Sequence, residues 1–408
     1  MIYDVIIVGG GMAGLYMAYR LKSHNPNVKL LILEKNKKSE IGGRAGNYSF
    51  QGTNVVTGAG IGRRSKDFLL LKLMKSLGIP IHEFSTNIHY ASTIAKTPCN
   101  VRATITELRS HYKNHIVENK GKTFREFAKA FLGKEKYENF TTCSGYTDYE
   151  NTDIRNVLYD YGFEDNYSQW KGFSVPWRHL VQELCQCIGM QNIHTSCDVQ
   201  SITKESTFSI TSKLGTHYEA KQVVIATTID SVLRLVPKQT KKLYKQIKGQ
   251  PFLRMYGRFS KASIPIIENF VPSQTIVPGP IHKIIPMDPE QGVYMIVYSD
   301  NQGARELQQY GENTQENRDS MCRILEHSLG IRENTLKLLA IKSFFWPIGT
   351  HYYEPLEMTK TLQSYIKLAQ NPVDGMVVVG ELISMDQGWT QGALDSVEKV
   401  LPIVFKLL

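Results

Sequence analysis

The residues whose spacing first suggests chemistry are three glycines near the start of the chain. Gly9, Gly11 and Gly14 form a Gly-x-Gly-x-x-Gly motif directly after an apolar run at positions 3–8. The first glycine permits a tight turn, the second lets the backbone approach a pyrophosphate, and the third lets a helix pack closely on a strand. The motif therefore predicts a dinucleotide site at a strand-to-helix turn.

An acidic residue at the end of the next apolar run supports this interpretation. Glu34 lies 20 residues beyond Gly14, where a carboxylate accepts hydrogen bonds from a ribose diol and favours an adenosine without a 2′-phosphate. Met12 and Ala13 open the helix, and the N–H groups of a helix N-terminus attract phosphate. We expect these residues and the neighbouring Lys35 to contact the dinucleotide.

Two further glycine-rich segments follow the second strand. Gly43 and Arg44 stand in the sequence Ile-Gly-Gly-Arg-Ala at 41–45, where small residues permit a close approach of the backbone and the guanidinium can reach a phosphate. A second segment, which runs from Gly52, ends in Gly58, Ala59 and Gly60.

The C-terminal part of the chain carries another glycine-rich region. Gly380 ends a buried strand predicted at 376–380, and Glu381 follows it. The sequence Gly-Trp-Thr-Gln-Gly-Ala at 388–393 then opens a helical pattern, and its glycines are not explained by an amphipathic helix alone. The residues expected to contact a cofactor here are Trp389, Thr390, Gly392 and Ala393.

Together these segments resemble those of the flavin-containing amine oxidase family, the group of monoamine and polyamine oxidases, amino-acid oxidases, protoporphyrinogen oxidase and carotenoid desaturases. The resemblance covers both ends and the middle of the chain. It implies FAD as cofactor, with Val199 and Ala226 beside the adenine and Gly380 and Glu381 beside the ribityl and phosphate groups. The helix that begins near Thr390 would point at the flavin ring, where its dipole stabilises developing negative charge.

The resemblance and the strand and helix patterns predict a two-domain α/β fold. The expected architecture is a discontinuous FAD-binding Rossmann-like (GR2-type) domain at 1–80, 172–240 and 351–408. An α+β substrate-binding domain at 81–171 and 241–350 is inserted into it. A helix is expected at 65–77, with Ser65 as its N-cap.

Three side chains are candidates for the reaction itself. Trp389 and Tyr352, with Tyr353 as the alternative to Tyr352, resemble the two aromatic rings that frame the flavin in amine oxidases and orient an amine. Arg254 stands where many members of the family carry a lysine near flavin N5. Arginine does not release its proton at ordinary pH, so Arg254 is expected to clamp a substrate carboxylate or to be a structural or surface residue.

The resemblance implies hydride transfer from a substrate C–H, expected to be an amine, to flavin N5, with O2 as acceptor and H2O2 as product. The segment at 349–353 has no cysteine, whereas members with covalent flavin carry one there, so non-covalent FAD is expected. Three alternatives remain open: a desaturase or protoporphyrinogen-type oxidase, a non-redox flavoenzyme resembling UDP-galactopyranose mutase, and a non-catalytic binding protein resembling the Rab GDP-dissociation inhibitors.

Composition sets limits on the partners. The net charge is +10 over 408 residues, but the basic residues are dispersed, so nucleic-acid binding is not expected. The charge does not steer polycationic substrates such as polyamines towards the protein, and it favours an anionic apolar molecule. The expected substrate is a small molecule, either the amine that the resemblance implies or such an anionic molecule. Neither a membrane span nor a signal peptide is visible, which predicts a cytoplasmic protein. The six cysteines lack metal-site spacing, so no metal is expected and the thiols are expected to be reduced.

Overall fold

The computed structural model describes residues 1–94, 99–161, 163, 166, 170–356 and 361–408. In chain order its strands are β1 (Ile2–Val8), β2 (Leu30–Leu33), β3 (Asn47–Phe50), β4 (Thr53–Val56), β5 (Gly62–Arg63), β6 (Glu83–Ser85), β7 (Ile88–Tyr90), β8 (Lys171–Phe173), β9 (Ile193–His194), β10 (Val199–Lys204), β11 (Phe208–Ser212), β12 (His217–Ile225), β13 (Ile247–Phe259), β14 (Gln274–Ile276), β15 (Lys283–Asp288), β16 (Val293–Asp300), β17 (Leu338–Tyr353) and β18 (Met376–Val378). The helices are α1 (Met12–His24), α2 (Phe68–Ser76), α3 (Val101–Asn114), α4 (Phe124–Leu132), α5 (Lys134–Ser144), α6 (Ile154–Asn156), α7 (Trp177–Ile188), α8 (Ile229–Leu235), α9 (Ile264–Phe270), α10 (Asn301–Leu307), α11 (Gln315–Leu329), α12 (Leu362–Gln370) and α13 (Thr390–Phe405).

The first sheet is built around β1. This strand pairs in parallel with β2 on one side and with β12 on the other. The strand β12 pairs with β11 in its first half and with β18 in its second half, so the last strand of the chain joins the sheet that the first strand begins. Parallel strands place their carboxyl ends at one edge, where open α/β sheets bind ligands.

The side chains of β1 alternate between two apolar cores. Val5 and Ile7 pack with α1, α7 and α13 on one face of the sheet, whereas Ile6 and Val8 belong to the apolar core on the other face. A strand that is covered on both faces needs a continuous apolar run, which is the pattern of the N-terminal segment. The first sheet is therefore a buried layer between helices and other strands.

The second sheet has the strand order β17-β13-β16-β15-β14-β7. Leu253 and Met255 of β13 point into a core that α9, α10 and α11 cover. Because side chains alternate along a strand, Phe252 and Arg254 face the opposite side. On that side lie helices α3 to α6, which have an aromatic core of their own.

The α/β class and the Rossmann-like arrangement expected from the sequence are confirmed. The expected division into two domains remains a prediction, although every strand of the first sheet lies within the three segments assigned to the FAD-binding domain. One strand crosses an expected boundary, since β17 runs from Leu338 to Tyr353 without a break.

Two expectations about local structure were wrong. The helix expected at 65–77 begins only at Phe68, and its N-cap position is Asp67 instead of Ser65. The Asp67 side chain turns back to Arg63 and does not cap the helix.

The second wrong expectation is that the thiols are reduced. Cys99 and Cys143 form a disulfide, whereas the other cysteines are free, namely Cys185, Cys187, Cys197 and Cys322. Cys99 precedes α3 and Cys143 lies in α5, so only folding brings the two sulfurs together.

Among the described residues, no helix is long and apolar enough to cross a membrane.

A buried carboxylate fixes the connection between α11 and β17. Glu326 is fully buried and accepts hydrogen bonds from the backbone N–H groups of Asn334 (3.1 Å), Thr335 (2.8 Å) and Leu336 (2.7 Å). Removing this acceptor leaves three donors without a partner, and each buried unsatisfied group costs about 1–3 kcal/mol.

We therefore expect Glu326→Ala to lower the free energy of unfolding by about 3 kcal/mol, measured by urea titration. Glu333→Ala is the matched control, because Glu333 is an exposed residue of the same connection. Equal stabilities for the two variants would contradict this account of the connection.

Candidate active site

One cavity of about 1230 Å³ contains residues from both ends of the chain. Gly11 from the first turn and Trp389 from the start of α13 both line it. Its volume exceeds the roughly 300–1,000 Å³ of a typical small-ligand pocket. The residues selected from the sequence that line it are Gly9, Gly11, Met12, Ala13, Glu34, Lys35, Gly43, Arg44, Gly58, Ala59, Gly60, Val199, Ala226, Arg254, Tyr352, Gly380, Glu381, Trp389, Thr390 and Ala393.

Two of the selected glycines do not line the cavity. A Cβ atom on Gly14 would lie 2.0 Å from the carbonyl oxygen of Gly9, and one on Gly392 would lie 1.9 Å from that of Asp386. Both positions thus need glycine for close packing of the backbone. Gly14 and Gly392 therefore have a packing role behind the cavity wall, and the expected contact of these two residues with the cofactor stays a prediction.

The first turn combines a tight backbone with open space. Gly9 has φ +109°, and a Cβ there would lie 2.3 Å from the carbonyl oxygen of Ala226. Around Gly11, by contrast, a Cβ would meet no protein atom within 4 Å. Gly11 is the N-cap of α1 and supplies no side-chain cap, so the first N–H groups of the helix face the cavity.

The Glu34 carboxylate is held at the end of β2. It accepts hydrogen bonds from the N–H groups of Gly10 (2.7 Å) and Asn36 (2.8 Å). A carboxylate has about four lone-pair sites, so Glu34 keeps acceptor capacity towards the cavity. Its position fits the expected contact with a ribose diol.

An ion pair joins the front and the rear of the chain inside the cavity. Nη1 of Arg44 donates to Oε1 of Glu381 at 2.8 Å and to the carbonyl oxygen of Gly349 at 2.7 Å. Glu381 is buried and also accepts from Nδ1 of His351 (2.5 Å) and from the N–H of Gly388 (2.9 Å). Arg44 was expected to reach a phosphate, and here it contacts the predicted flavin-side residue Glu381.

The hydrogen bonds of His351 define which ring nitrogen carries the proton. The backbone N–H of Ile229 points at Nε2 at 3.2 Å, so this nitrogen is an acceptor and the proton lies on Nδ1, facing Glu381. Burial alone would raise the pKa of Glu381, but the donors His351, Arg44 and Gly388 outweigh it and hold that pKa well below its usual range. Glu381 is therefore ionised.

Trp389 is fixed by a network that the sequence did not reveal. Its Nε1 donates to Asp67 at 2.7 Å. Arg63 binds Asp67 (2.9 Å) and Asp386 (2.7 Å), and its guanidinium carbon lies 5.4 Å from the centre of the Trp389 ring. Burial raises the pKa of Asp67 although Arg63 lies beside it. Arg63 is largely buried in this network, and the i,i+4 spacing of Arg63 and Asp67 is the one sequence signal that could have revealed the pair.

The two tyrosines at the end of β17 have different surroundings. Tyr352 is half-buried and lines the cavity, and burial raises its pKa. Tyr353 is buried in the core, where its hydroxyl donates to the carbonyl oxygen of Ser384 at 3.0 Å. Strand alternation separates the two side chains, so of this pair it is Tyr352 that can meet a ligand.

Arg254 is buried and not at the surface. It projects from β13 into the cavity between the rings of Phe252 and Tyr298. Two other cavity residues missed in the sequence, Gln250 and Lys283, lie on the same sheet. Alternation along β13 places Gln250 on the same side as Arg254. The sequence alone does not show which side of β13 faces the cavity, because that depends on how the strands pair.

The fold and this cavity define a mixed α/β protein with a Rossmann-like nucleotide-binding region. A family model described as an NAD(P)-binding Rossmann-like domain matches residues 7–76. An uncharacterized protein of Acanthamoeba polyphaga mimivirus is 40% identical over 57 residues, which are 14% of this chain and 11% of that protein. The matched segment thus spans a small part of this relative.

Solved structures of putrescine oxidase match the chain over its whole length. The wild-type enzyme bound to putrescine has a TM-score of 0.75 at 12% identity, and the match covers 100% of this chain and 99% of that chain. A variant from a structure-based redesign of cofactor binding has a TM-score of 0.73 at the same identity and coverage. The fold implied by the sequence resemblance is therefore confirmed.

The ionised state of Glu381 leads to a testable prediction about how stability depends on pH. Because its pKa is lower in the folded than in the unfolded protein, its contribution to stability is complete above the unfolded value of about 4.3 and is lost as the pH falls below it. Glu381→Gln should therefore be destabilised by about 2 kcal/mol at pH 7.

The difference in unfolding free energy between the wild type and Glu381→Gln should shrink between pH 5 and pH 3.5. Denaturant titrations at several pH values measure it, with Glu40→Gln, an exposed position, as control. A difference that stays constant over this range would contradict the assignment of an ionised Glu381.

Proposed function

We propose that this protein is an FAD-dependent oxidoreductase of the amine-oxidase type. It would transfer a hydride from a substrate C–H, beside an amine nitrogen, with O2 as final acceptor and H2O2 as product. The observation that carries the proposal is the convergence of the N-terminal glycine turn and the C-terminal Gly380–Ala393 segment on one cavity. The full-length fold match to putrescine oxidase supports it.

The residues at one end of the cavity suit a dinucleotide. The open space at Gly11 and the uncapped N-terminus of α1 fit a pyrophosphate, and Glu34 fits a ribose. The start of α13, whose N-cap Trp389 gives no side-chain cap, would face the flavin end. Segment 349–353, which lacks cysteine, supports a non-covalently bound FAD. When bound, FAD supplies the hydride acceptor.

Side chains of this protein would position the substrate. The ring of Trp389 is held by Asp67, and the backbone of Tyr352 is held near the end of β17 by pairing with Lys248 of β13, so both residues have a defined position before a ligand arrives. Fixed rings orient an amine with little loss of conformational freedom. The positive N-terminus of α13 would stabilise negative charge near Thr390.

A larger anionic apolar substrate is the second candidate. The buried cation Arg254 in the cavity wall favours it, and this is the substrate type of a protoporphyrinogen oxidase or a desaturase. The non-redox mutase and the flavin-free binding protein have no comparable observation in their favour. The uncapped helix at Gly11 and the intact Gly380–Ala393 segment speak for a bound dinucleotide.

Absorbance spectroscopy separates these classes. The purified protein should absorb near ~450 nm, a general property of flavins, and acid precipitation should release FAD into the supernatant. At least one member of an amine panel that includes putrescine and amines with a carboxylate group should bleach the absorbance when it is added anaerobically, and air should then yield peroxide. Bleaching by a porphyrinogen alone would select the second candidate, and a colourless protein that takes up no FAD would reject both redox functions.

Gly11→Ala tests the dinucleotide site. The new methyl group meets no protein atom within 4 Å, and φ at this position is −79°, so the unfolding free energy should fall by no more than about 1 kcal/mol. The methyl group would occupy the space expected for the pyrophosphate. We expect at least a tenfold weaker FAD affinity by fluorescence titration of the apoprotein, and unchanged FAD affinity would place the dinucleotide elsewhere.

A further inference from the structure

A row of cavity-facing side chains crosses the second sheet beyond the two proposed flavin-face rings. Arg254 of β13 lies opposite Tyr298 of β16, and Tyr298 lies opposite Lys283 of β15. All three side chains line the cavity. Since directly opposed residues on neighbouring strands have Cβ atoms about 5 Å apart, this wall of the cavity carries two positive charges separated by one aromatic ring.

Arg254 is a buried cation that has no counter-ion in the described part of the chain. The residue is 6% exposed, and among the residues that the structure describes no carboxylate lies within ion-pair distance of it. Its Nε has no hydrogen-bond partner, and Nη1 has only a 3.5 Å contact with the carbonyl oxygen of Leu253. A buried charge is normally paired, because its desolvation is otherwise uncompensated.

Two rings hold the guanidinium in place but do not satisfy its donors. The guanidinium carbon lies 3.5 Å from the centre of the Tyr298 ring and 4.4 Å from that of Phe252. Such stacking stabilises the cation through the ring faces. The N–H groups lie in the plane of the guanidinium, where they match the two oxygens of a carboxylate.

Lys283 adds a second positive charge beside this position. It is 1% exposed, and its Nζ lies 3.3 Å from the centre of the Tyr146 ring and 5.3 Å from that of Tyr298. Its stem packs under the helical layer, because a Cβ on Gly145 would lie 2.5 Å from Cε of Lys283. The cation is thus built into the interior between sheet and helices.

Two described acidic residues near this wall, Asp300 and Asp148, have other hydrogen-bond partners. Asp300 accepts from the backbone N–H and the hydroxyl of Thr147, and Asp148 accepts from the hydroxyl of Tyr161 at 2.6 Å. These carboxylates reduce the positive potential of the wall but form no ion pair with Arg254. The N–H groups of Arg254 therefore remain available to a ligand.

We infer that the substrate carries a carboxylate or a similar planar oxyanion, which the guanidinium of Arg254 binds at the sheet wall of the cavity. The inference rests on the proposed function and narrows its substrates to molecules that combine the oxidised group with an anionic group. A substrate with two positive charges and no anionic group would meet the cation of Arg254 at this wall and is disfavoured.

Calorimetric titration with benzoate and benzamide tests this inference. The two probes have similar shapes and differ in charge. FAD is present at saturation, so that the dinucleotide end of the cavity is not open to benzoate. We expect benzoate to bind the wild type at least tenfold more tightly than benzamide. Arg254→Gln should weaken benzoate at least tenfold and leave benzamide unchanged, while Arg254→Lys should retain part of the benzoate affinity.

Arg258→Gln is the matched control. Arg258 lies on the same strand and binds Gln51 away from the cavity, so this variant should bind benzoate like the wild type. Without ligand, Arg254→Gln should be at least as thermally stable as the wild type, because it removes an unpaired buried charge. A purely structural Arg254 would instead make this variant less stable.

Benzoate binding that equals benzamide binding, or that does not change in Arg254→Gln, would overturn the inference. Failure of the proposed function would be seen separately, as absence of FAD or of bleaching. In a protein that takes up no FAD, benzoate could also bind at the dinucleotide end, but that binding would not depend on Arg254. The change in benzoate affinity in Arg254→Gln therefore still reports on the sheet wall.

Discussion

The ion pair between Arg44 and Glu381 is the contact on which the geometry of the cavity depends. It joins segments that are 337 residues apart in the chain, and Arg44 also binds the carbonyl oxygen of Gly349 in β17 of the second sheet. His351 and Gly388 donate to the same carboxylate. One buried acceptor thus fixes the glycine-rich loop, the end of β17 and the start of the C-terminal segment relative to one another.

The first sheet brings these segments close enough for the ion pair to form. The strand β12 pairs with both β1 and β18, which places the turns after the first and last strands at one edge. The second sheet supplies the opposite wall, with Arg254 and Phe252 facing inwards while Leu253 and Met255 pack into the core. The cavity is therefore formed by both sheets. Backbone N–H groups and a carboxylate line one end, and cations that stack on aromatic rings line the other.

Much of the geometry at the cavity end around Gly9 and Glu34 could be predicted because its signals are local. Gly9, Gly11 and Glu34 act through backbone geometry within one strand-turn-helix unit, and sequence spacing reports such geometry directly. The opposite wall could not be predicted in the same way. Whether Arg254 lies at the surface or in the cavity depends on which strand face is covered, and the partners of Trp389 and Arg44 come from remote segments.

The sequence by itself determined the α/β class, the nucleotide-binding turn and the segments that approach it, since strand and helix periodicity and glycine spacing are properties of short stretches. Only the tertiary structure decided that Tyr352 and not Tyr353 faces the cavity, that Asp67 holds Trp389 instead of capping a helix, that Cys99 meets Cys143, and that Arg254 is a buried cation. The physical reason is that burial, ion pairing and desolvation depend on neighbours that strand register and layer packing bring together from distant parts of the chain.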